Sequence, residues 1–318
     1  MNLIKVGVVG AGKMGSFHCT KLKQMKNVDF IGIFDKDSKR VREISQRFQI
    51  QAFDTYSNLL QHVDAIIVAA PTRFHFTLVE EAIRYDKHVF VEKPITTTIE
   101  EANKIKSLLK NKKVKFQVGH IERFNPVIQQ LHQYIEKDKI INIEAKRLAF
   151  SDRIKDVDVV LDVMIHDIDI ILSIVKSKIR RISAEGIRLP NTGKYDNVTA
   201  LILFENGVVA NLVSSNVSHE KVRTLTIYEK EKVIKTDYLN KQQQIIINEL
   251  NNPNSTFPQG TETVIANLTA PQLDPLLEEL THFIDCIYFD KDPLVGVEEG
   301  ATAVEVALQI KNCLDQAK

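Results

Sequence analysis

The chain has 318 residues, 44% hydrophobic and 26% charged, which predicts two domains with packed cores rather than a disordered or fibrous protein. Its 42 Lys+Arg nearly cancel its 41 Asp+Glu, which argues against a dedicated nucleic-acid binder. No apolar run approaches the ~18 residues of a membrane span. The three cysteines, Cys19, Cys286 and Cys313, have no metal or disulfide spacing, so a cytoplasmic protein with reduced thiols and no metal is expected.

In chain order, residues 3–9 are a β-branched run that reads as a strand and enters directly, leaving no room for a signal peptide. A glycine loop from Gly10 to Gly15 and a helix over 13–26 follow. The strand 28–34 ends at Asp35. A polar helix covers 38–48, and a small element lies near 56–61. The continuously apolar run 64–70 suits a parallel strand buried on both faces. Then come a helix at 74–85, a strand at 87–91, a helix at 98–111 and a strand at 114–118. This alternation predicts an α/β domain with a doubly wound parallel sheet over residues 1–120.

After residue 120 the rhythm changes. Residues 126–137 and 158–176 read as helices. Strands are predicted at 140–150, 179–188, 197–205, 208–216, 222–230, 232–238 and 244–249. Asn206-Gly207 predicts a hairpin with a type I′ turn, and Glu229 to Lys232 a second tight turn. The polar stretch 251–272 reads as a long loop, and helices at 274–290 and 298–316 close the chain. Residues 121–318 are therefore expected to form an α+β domain, an open and mostly antiparallel sheet with helices on one face.

Gly10-Ala11-Gly12-Lys13-Met14-Gly15 is a GxGxxG loop between a strand and a helix, with Asp35 twenty residues beyond Gly15. That context is the dinucleotide fingerprint: glycines for the turn and the close approach of pyrophosphate, a helix N-terminus for its charge, and an acid for the ribose hydroxyls. Asp35 would repel a 2′-phosphate, which favours NAD, while Lys36 and Arg40 lie close enough to weaken that preference. Glu92-Lys93-Pro94 follows the fifth strand, where an open α/β sheet binds ligands. On the residues alone, Lys93 is either a group in the cofactor crevice or a solvated loop lysine. Asp162 and His166 are four apart in an apolar stretch and share a helix face. His166 is either a base for a hydroxyl proton or a core histidine paired with Asp162 or Asp169.

The glycine loop, the Pro-x-x-x-His turn of Pro71 and His75, and Glu92-Lys93-Pro94 together resemble the glucose–fructose oxidoreductase/inositol dehydrogenase (Gfo/Idh/MocA) family. The resemblance spans the chain. It implies a Rossmann domain followed by an open sheet that binds substrate and forms a homo-oligomer, dimer or tetramer. It implies NAD held by Gly10, Gly12, Lys13, Met14, Gly15, Asp35, Lys36, Ala70, Thr72, His75, Glu92 and Lys93. It also implies catalysis by Lys93, Asp162 and His166, with His166 as proton acceptor. Many relatives carry Gly where this chain has Met164, which would narrow the pocket.

The string Gly119-His120-Ile121-Glu122-Arg123-Phe124-Asn125-Pro126, with the residues around His166, resembles the branch that oxidises the 3-hydroxyl of UDP-N-acetylglucosamine. Its implied substrate contacts are Arg123, Asn125, Arg153 and His166, with Arg147 and Lys155 as further phosphate donors. Asn125 and Pro126 also read simply as a helix N-cap and its first residue. Asp167 and Asp169 read as helix-surface or interdomain pairs, and His282 as structural. The alternatives are an inositol or free-sugar dehydrogenase of the same family, and a non-catalytic NAD-binding sensor.

Overall fold

A computed structural model describes residues 3–151, 157–189, 193–249 and 262–316. In chain order the elements are β1 (Ile4–Val9), α1 (Lys13–Leu22), β2 (Val28–Phe34), α2 (Ser38–Phe48), β3 (Gln51–Ala52), α3 (Tyr56–His62), β4 (Ala65–Val68), α4 (His75–Arg84), β5 (His88–Glu92), α5 (Ile99–Leu109) and β6 (Phe116–Gly119). They continue with α6 (Pro126–Leu131), β7 (Ile140–Phe150), a π-turn (Val160–Met164), α7 (Ile165–Ile174), β8 (Ile179–Arg188), β9 (Tyr195–Phe204), β10 (Val209–Ser215) and β11 (Val217–Glu229). The rest are β12 (Lys232–Asp237), β13 (Gln242–Glu249), β14 (Glu262–Thr269), α8 (Pro275–Tyr288) and α9 (Val297–Gln316). No helix among the described residues is long and apolar enough to cross a membrane.

Two compact units form: Met1–Ile121 with Asp274–Glu305, and Glu122–Leu273 with Val306–Lys318. The first holds a parallel sheet in the order β3-β2-β1-β4-β5-β6. This is the doubly wound Rossmann topology, whose strand order reverses between β1 and β4. All four residues of β4 are buried, as its unbroken apolarity requires. Residues 274–305, expected in the second domain, fold instead with this unit. The reason is the amphipathic face of α8. Leu280, Phe283 and Ile284 join the core of Val6, Val8, Ile67 and Phe90, and the Phe283 ring lies 5.8 Å from that of Phe90.

The second unit holds an eight-stranded sheet in the order β14-β13-β12-β11-β7-β10-β9-β8. Only β7 and β10 run parallel among its described pairs; the others are antiparallel. Val198, Ala200, Ile202 and Phe204 of β9 are buried while Thr199 and Leu201 between them are exposed. One face is therefore covered, by α6 and α7 among others, and the other is open.

Four local expectations need correction. The loop assigned to 251–272 contains β14, whose Val264, Ile265, Ala266 and Leu268 were hidden by the polar residues that open the stretch. As an edge strand it is held by its ladder with β13 rather than by an apolar face. The helix assigned to 126–137 ends at Leu131, because the chain turns to donate the Glu136 N–H to a Glu229 carboxylate oxygen at 2.8 Å. The helix over 158–176 is a π-turn followed by α7. The β9–β10 hairpin has positive φ at Gly207 (88°) but not at Asn206, so its turn is not type I′. Asn206 instead uses its side-chain oxygen to accept the Val208 N–H at 3.3 Å.

Candidate active site

The candidate residues of the first unit centre on the glycine loop. Gly10 has φ of +106°, and a Cβ there would lie 2.6 Å from the Ala69 carbonyl. A Cβ on Gly15 would lie 1.8 Å from the Gly10 oxygen, so α1 starts close against the loop. A Cβ on Gly12 would meet nothing within 4 Å, leaving the loop open on that side. Gly12 caps α1 without any side-chain bond, and no acid occupies the first turn with Lys13 and Met14. An open backbone and an uncapped helix N-terminus together suit a pyrophosphate.

Asp35, at the end of β2, accepts the Ala11 N–H at 2.6 Å and the Asp37 N–H at 2.9 Å. A cleft of about 450 Å³ opens beside it, lined by Phe34, Asp35, Lys36, Ser38, Phe53 and Asp54 among others. The two neighbouring cations are engaged. The Lys36 ammonium lies 5.0 Å from the centre of the Phe74 ring, and Arg40 pairs with Asp37 at 3.2 Å.

The ends of β4 and β5 are braced to each other. Both ring nitrogens of His75, a buried residue, lie 2.8 Å from backbone carbonyls, those of Pro94 and Ala70. Thr72 is buried beside it in sequence, and Lys93 is half-buried. Glu92 is buried, and its carboxylate lies 2.7 Å from His18 Nε2. Burial pushes the Glu92 carboxyl up, but the His18 hydrogen bond and the charges of His18, Lys93 and His75 together outweigh it and hold the group below its usual value. His18 was missed from the sequence. Its signal was available: it stands on the buried stripe of α1 with Gly15, Cys19 and Leu22, where an imidazole needs a partner.

In the second unit, Asp162 sits in the π-turn and His166 in the first turn of α7, both half-buried. Single π-turns within helices concentrate at functional sites. Carboxylates on either side are fastened. Asp158 accepts the Val160 and Leu161 N–H groups at 3.1 and 3.2 Å and pairs with Lys311 at 2.8 Å. Asp167, next to His166, takes a two-pronged bond from Arg147 at 3.0 and 2.8 Å, and Asp169 pairs with Arg123 at 3.4 Å. Asp167 and Asp169 are thus buried internal pairs, not helix-surface or interdomain ones, because arginines on the same unit reach them.

The expected phosphate donors change accordingly. Arg147 is buried and spends its third bond on Glu122 at 2.7 Å. Burial disfavours its charge, but Asp167 and Glu122 raise its pKa above the ordinary arginine value. Asn125 donates to Glu122 at 2.9 Å and caps α6 through the Val127 N–H at 3.3 Å, with Pro126 first in the helix. Arg153 and Lys155 lie outside the described residues. Met164 is fully buried, so it packs the core rather than an open pocket wall. His282 accepts the Leu294 N–H at 2.9 Å in a structural bond.

The UDP-N-acetylglucosamine 3-dehydrogenase of Acidithiobacillus ferrooxidans is 30% identical over 311 residues, 97% of this chain and 96% of its own. Residues 4–120 match the oxidoreductase family with an NAD-binding Rossmann fold, and residues 137–235 match the GFO/IDH/MocA C-terminal domain. The chain belongs to the GFO/IDH/MocA oxidoreductase family. A solved structure of the same A. ferrooxidans enzyme, 29% identical, superposes with a TM-score of 0.89 over 99% of both chains. The myo-inositol 2-dehydrogenase of Thermotoga maritima is 22% identical over 99% of this chain and 97% of its own. As a GFO/IDH/MocA member the protein is an oxidoreductase, and its first unit carries the family's NAD-binding domain.

Proposed function

We propose that this protein is an NAD-dependent dehydrogenase that oxidises the 3-hydroxyl of UDP-N-acetylglucosamine to a 3-keto sugar nucleotide, a precursor for amino-sugar synthesis. The observation that carries the reading is the 30% identity, over nearly the whole of both chains, to the A. ferrooxidans enzyme of that name. In this reading Gly10, Gly12, Lys13, Met14 and Gly15 take the pyrophosphate. Asp35 and Lys36 take the adenosine end, and Ala70, Thr72, Glu92 and Lys93 line the path to the nicotinamide. His75 contributes by holding Ala70 and Pro94, since carbonyls engage both of its nitrogens. Bound NAD supplies the acceptor for the hydride that leaves C3. His166 removes the hydroxyl proton, Asp162 orients it, and Lys93 stabilises negative charge developing on the oxygen. Arg123 and Asn125 belong to the substrate side through the segment they brace. Self-association through the open face of the sheet, where Leu201 is exposed, completes the reading.

Incubating the full chain with NAD and UDP-N-acetylglucosamine, with a keto-sugar aminotransferase to draw off product, tests this. An amino-sugar nucleotide and NADH are expected. NADH formation from myo-inositol or glucose, and none from the sugar nucleotide, would replace the reading with the inositol or free-sugar one. No turnover of any sugar would favour an NAD-binding sensor.

A further inference from the structure

Two arginines and two carboxylates meet on the covered face of the second unit's sheet, and one of the arginines makes no hydrogen bond there. Arg223 of β11 stands directly opposite Arg147 of β7 in the antiparallel ladder. Like charges directly opposite destabilise a strand pair unless something compensates them. Glu122 and Asp167 lie among these arginines, but their hydrogen bonds go elsewhere. Arg147 takes both oxygens of Asp167 and Oε1 of Glu122, and Asn125 takes Oε2 of Glu122. Arg223 Nη1 lies 3.7 Å from Glu122 Oε1, beyond hydrogen-bond length. Its guanidinium donates no hydrogen bond to any described residue.

Two further observations set Arg223 apart. Its side chain is 42% exposed, against 5% for Arg147, so solutes can reach it. The β11–β7 register shifts between Val217 and Val222, immediately before it. Such irregularities re-aim side chains beside functional sites. Leu225, Ile227 and Glu229 alternate with exposed or half-exposed neighbours as buried residues, which puts Arg223 on the face that α7 packs against through β7. Burial and the neighbouring Arg147 charge hold its pKa down, and Glu122 and Asp167 offset them only in part, so a further anion would be accommodated.

We propose that Arg223 is the phosphate contact of this enzyme, its planar guanidinium fork binding a phosphate group of the sugar substrate. This rests on the sugar-nucleotide reading above, and it assigns the role that Arg147 and Arg123, with side chains only 5% and 9% exposed, cannot fill.

The test compares the full-length chain with its Arg223→Gln and Arg223→Lys variants, each saturated with NAD so that the glycine loop is occupied. Calorimetric binding of UDP and of inorganic pyrophosphate is measured, together with KM and kcat for UDP-N-acetylglucosamine and the thermal midpoint. Losing a charge-assisted contact should weaken UDP and pyrophosphate by about ten- to a hundredfold in Arg223→Gln, and less in Arg223→Lys. KM should rise with kcat nearly unchanged. The thermal midpoint should change little, because losing the repulsion from Arg147 offsets losing the attraction of Glu122 and Asp167. Turnover of UDP-N-acetylglucosamine by Arg223→Gln with an unchanged KM overturns the assignment and leaves the substrate reading standing. Arg223-dependent pyrophosphate binding without turnover of that sugar nucleotide supports the assignment and overturns the substrate reading.

Discussion

His18, His75 and His166 show how surroundings divide one side chain among several tasks. His18 is fully buried against a carboxylate, and His75 bridges two carbonyls; both serve as braces. His166 alone of the three is half-buried, on a helix turn beside a fastened aspartate. A base must meet its substrate, and that exposure supports the proton-acceptor role proposed for His166. Replacing His166 or Lys93 by Ala should cut turnover by about 10²- to 10⁴-fold, the usual contribution of a positioned acid–base group. NAD affinity, measured by titration, should survive in His166→Ala. Near-normal turnover in both variants would rule out the proposed roles. The glycine loop was legible because backbone geometry dictates it: Gly10 needs positive φ, and Gly15 has no room for a Cβ. His18 was not legible, since its meaning lies in Glu92, 74 residues away.

The element that carries Asp162 and His166 is fixed by ion pairs along its length. Asp158 caps its start, Arg147 holds Asp167, and Arg123 holds Asp169. Hydrophobic periodicity located this helix, but periodicity could not assign partners, so Asp167 and Asp169 read as helix-surface or interdomain pairs. The pairs differ in cost when broken. Asp158→Ala removes a cap and a partly exposed ion pair, and should cost about 1–2 kcal/mol. Arg147→Gln strands two buried carboxylates and should cost about 3–5 kcal/mol. Urea unfolding of both variants checks the order, and equal midpoints would mean that the Arg147 cluster contributes nothing special. Acid should act in the same direction. Burial pushes the Glu122 carboxyl up, but Arg147 and Asn125 overcome that and hold it below its usual value. The stability it supplies is therefore complete above the ordinary carboxylate range and is lost as pH falls through the lowered value.

At the scale of the whole chain, length foretold two domains and the change of rhythm near residue 120 marked a boundary, but the return of 274–305 to the first unit was hidden. A return is a non-local event, and an amphipathic helix such as α8 names no partner. Its consequence can be worked out from the core. Leu280, Phe283 and Ile284 are essentially fully buried, and burying each such side chain contributes about 1.5–3 kcal/mol. Together they supply roughly 5–9 kcal/mol, comparable to the 5–15 kcal/mol net stability of an ordinary domain. Polar ties add to this: Gln117 donates to the Glu279 carbonyl at 3.1 Å, and Tyr288 to that of Asn27 at 3.0 Å. A fragment of residues 1–121 should therefore lack a cooperative transition in thermal or urea unfolding followed by circular dichroism. The same fragment joined by a flexible linker to residues 274–305 should regain one, because the missing core face is restored without the intervening sheet. Cooperative unfolding of 1–121 alone would show that the glycine-loop sheet is complete without α8, and that the helix only covers it.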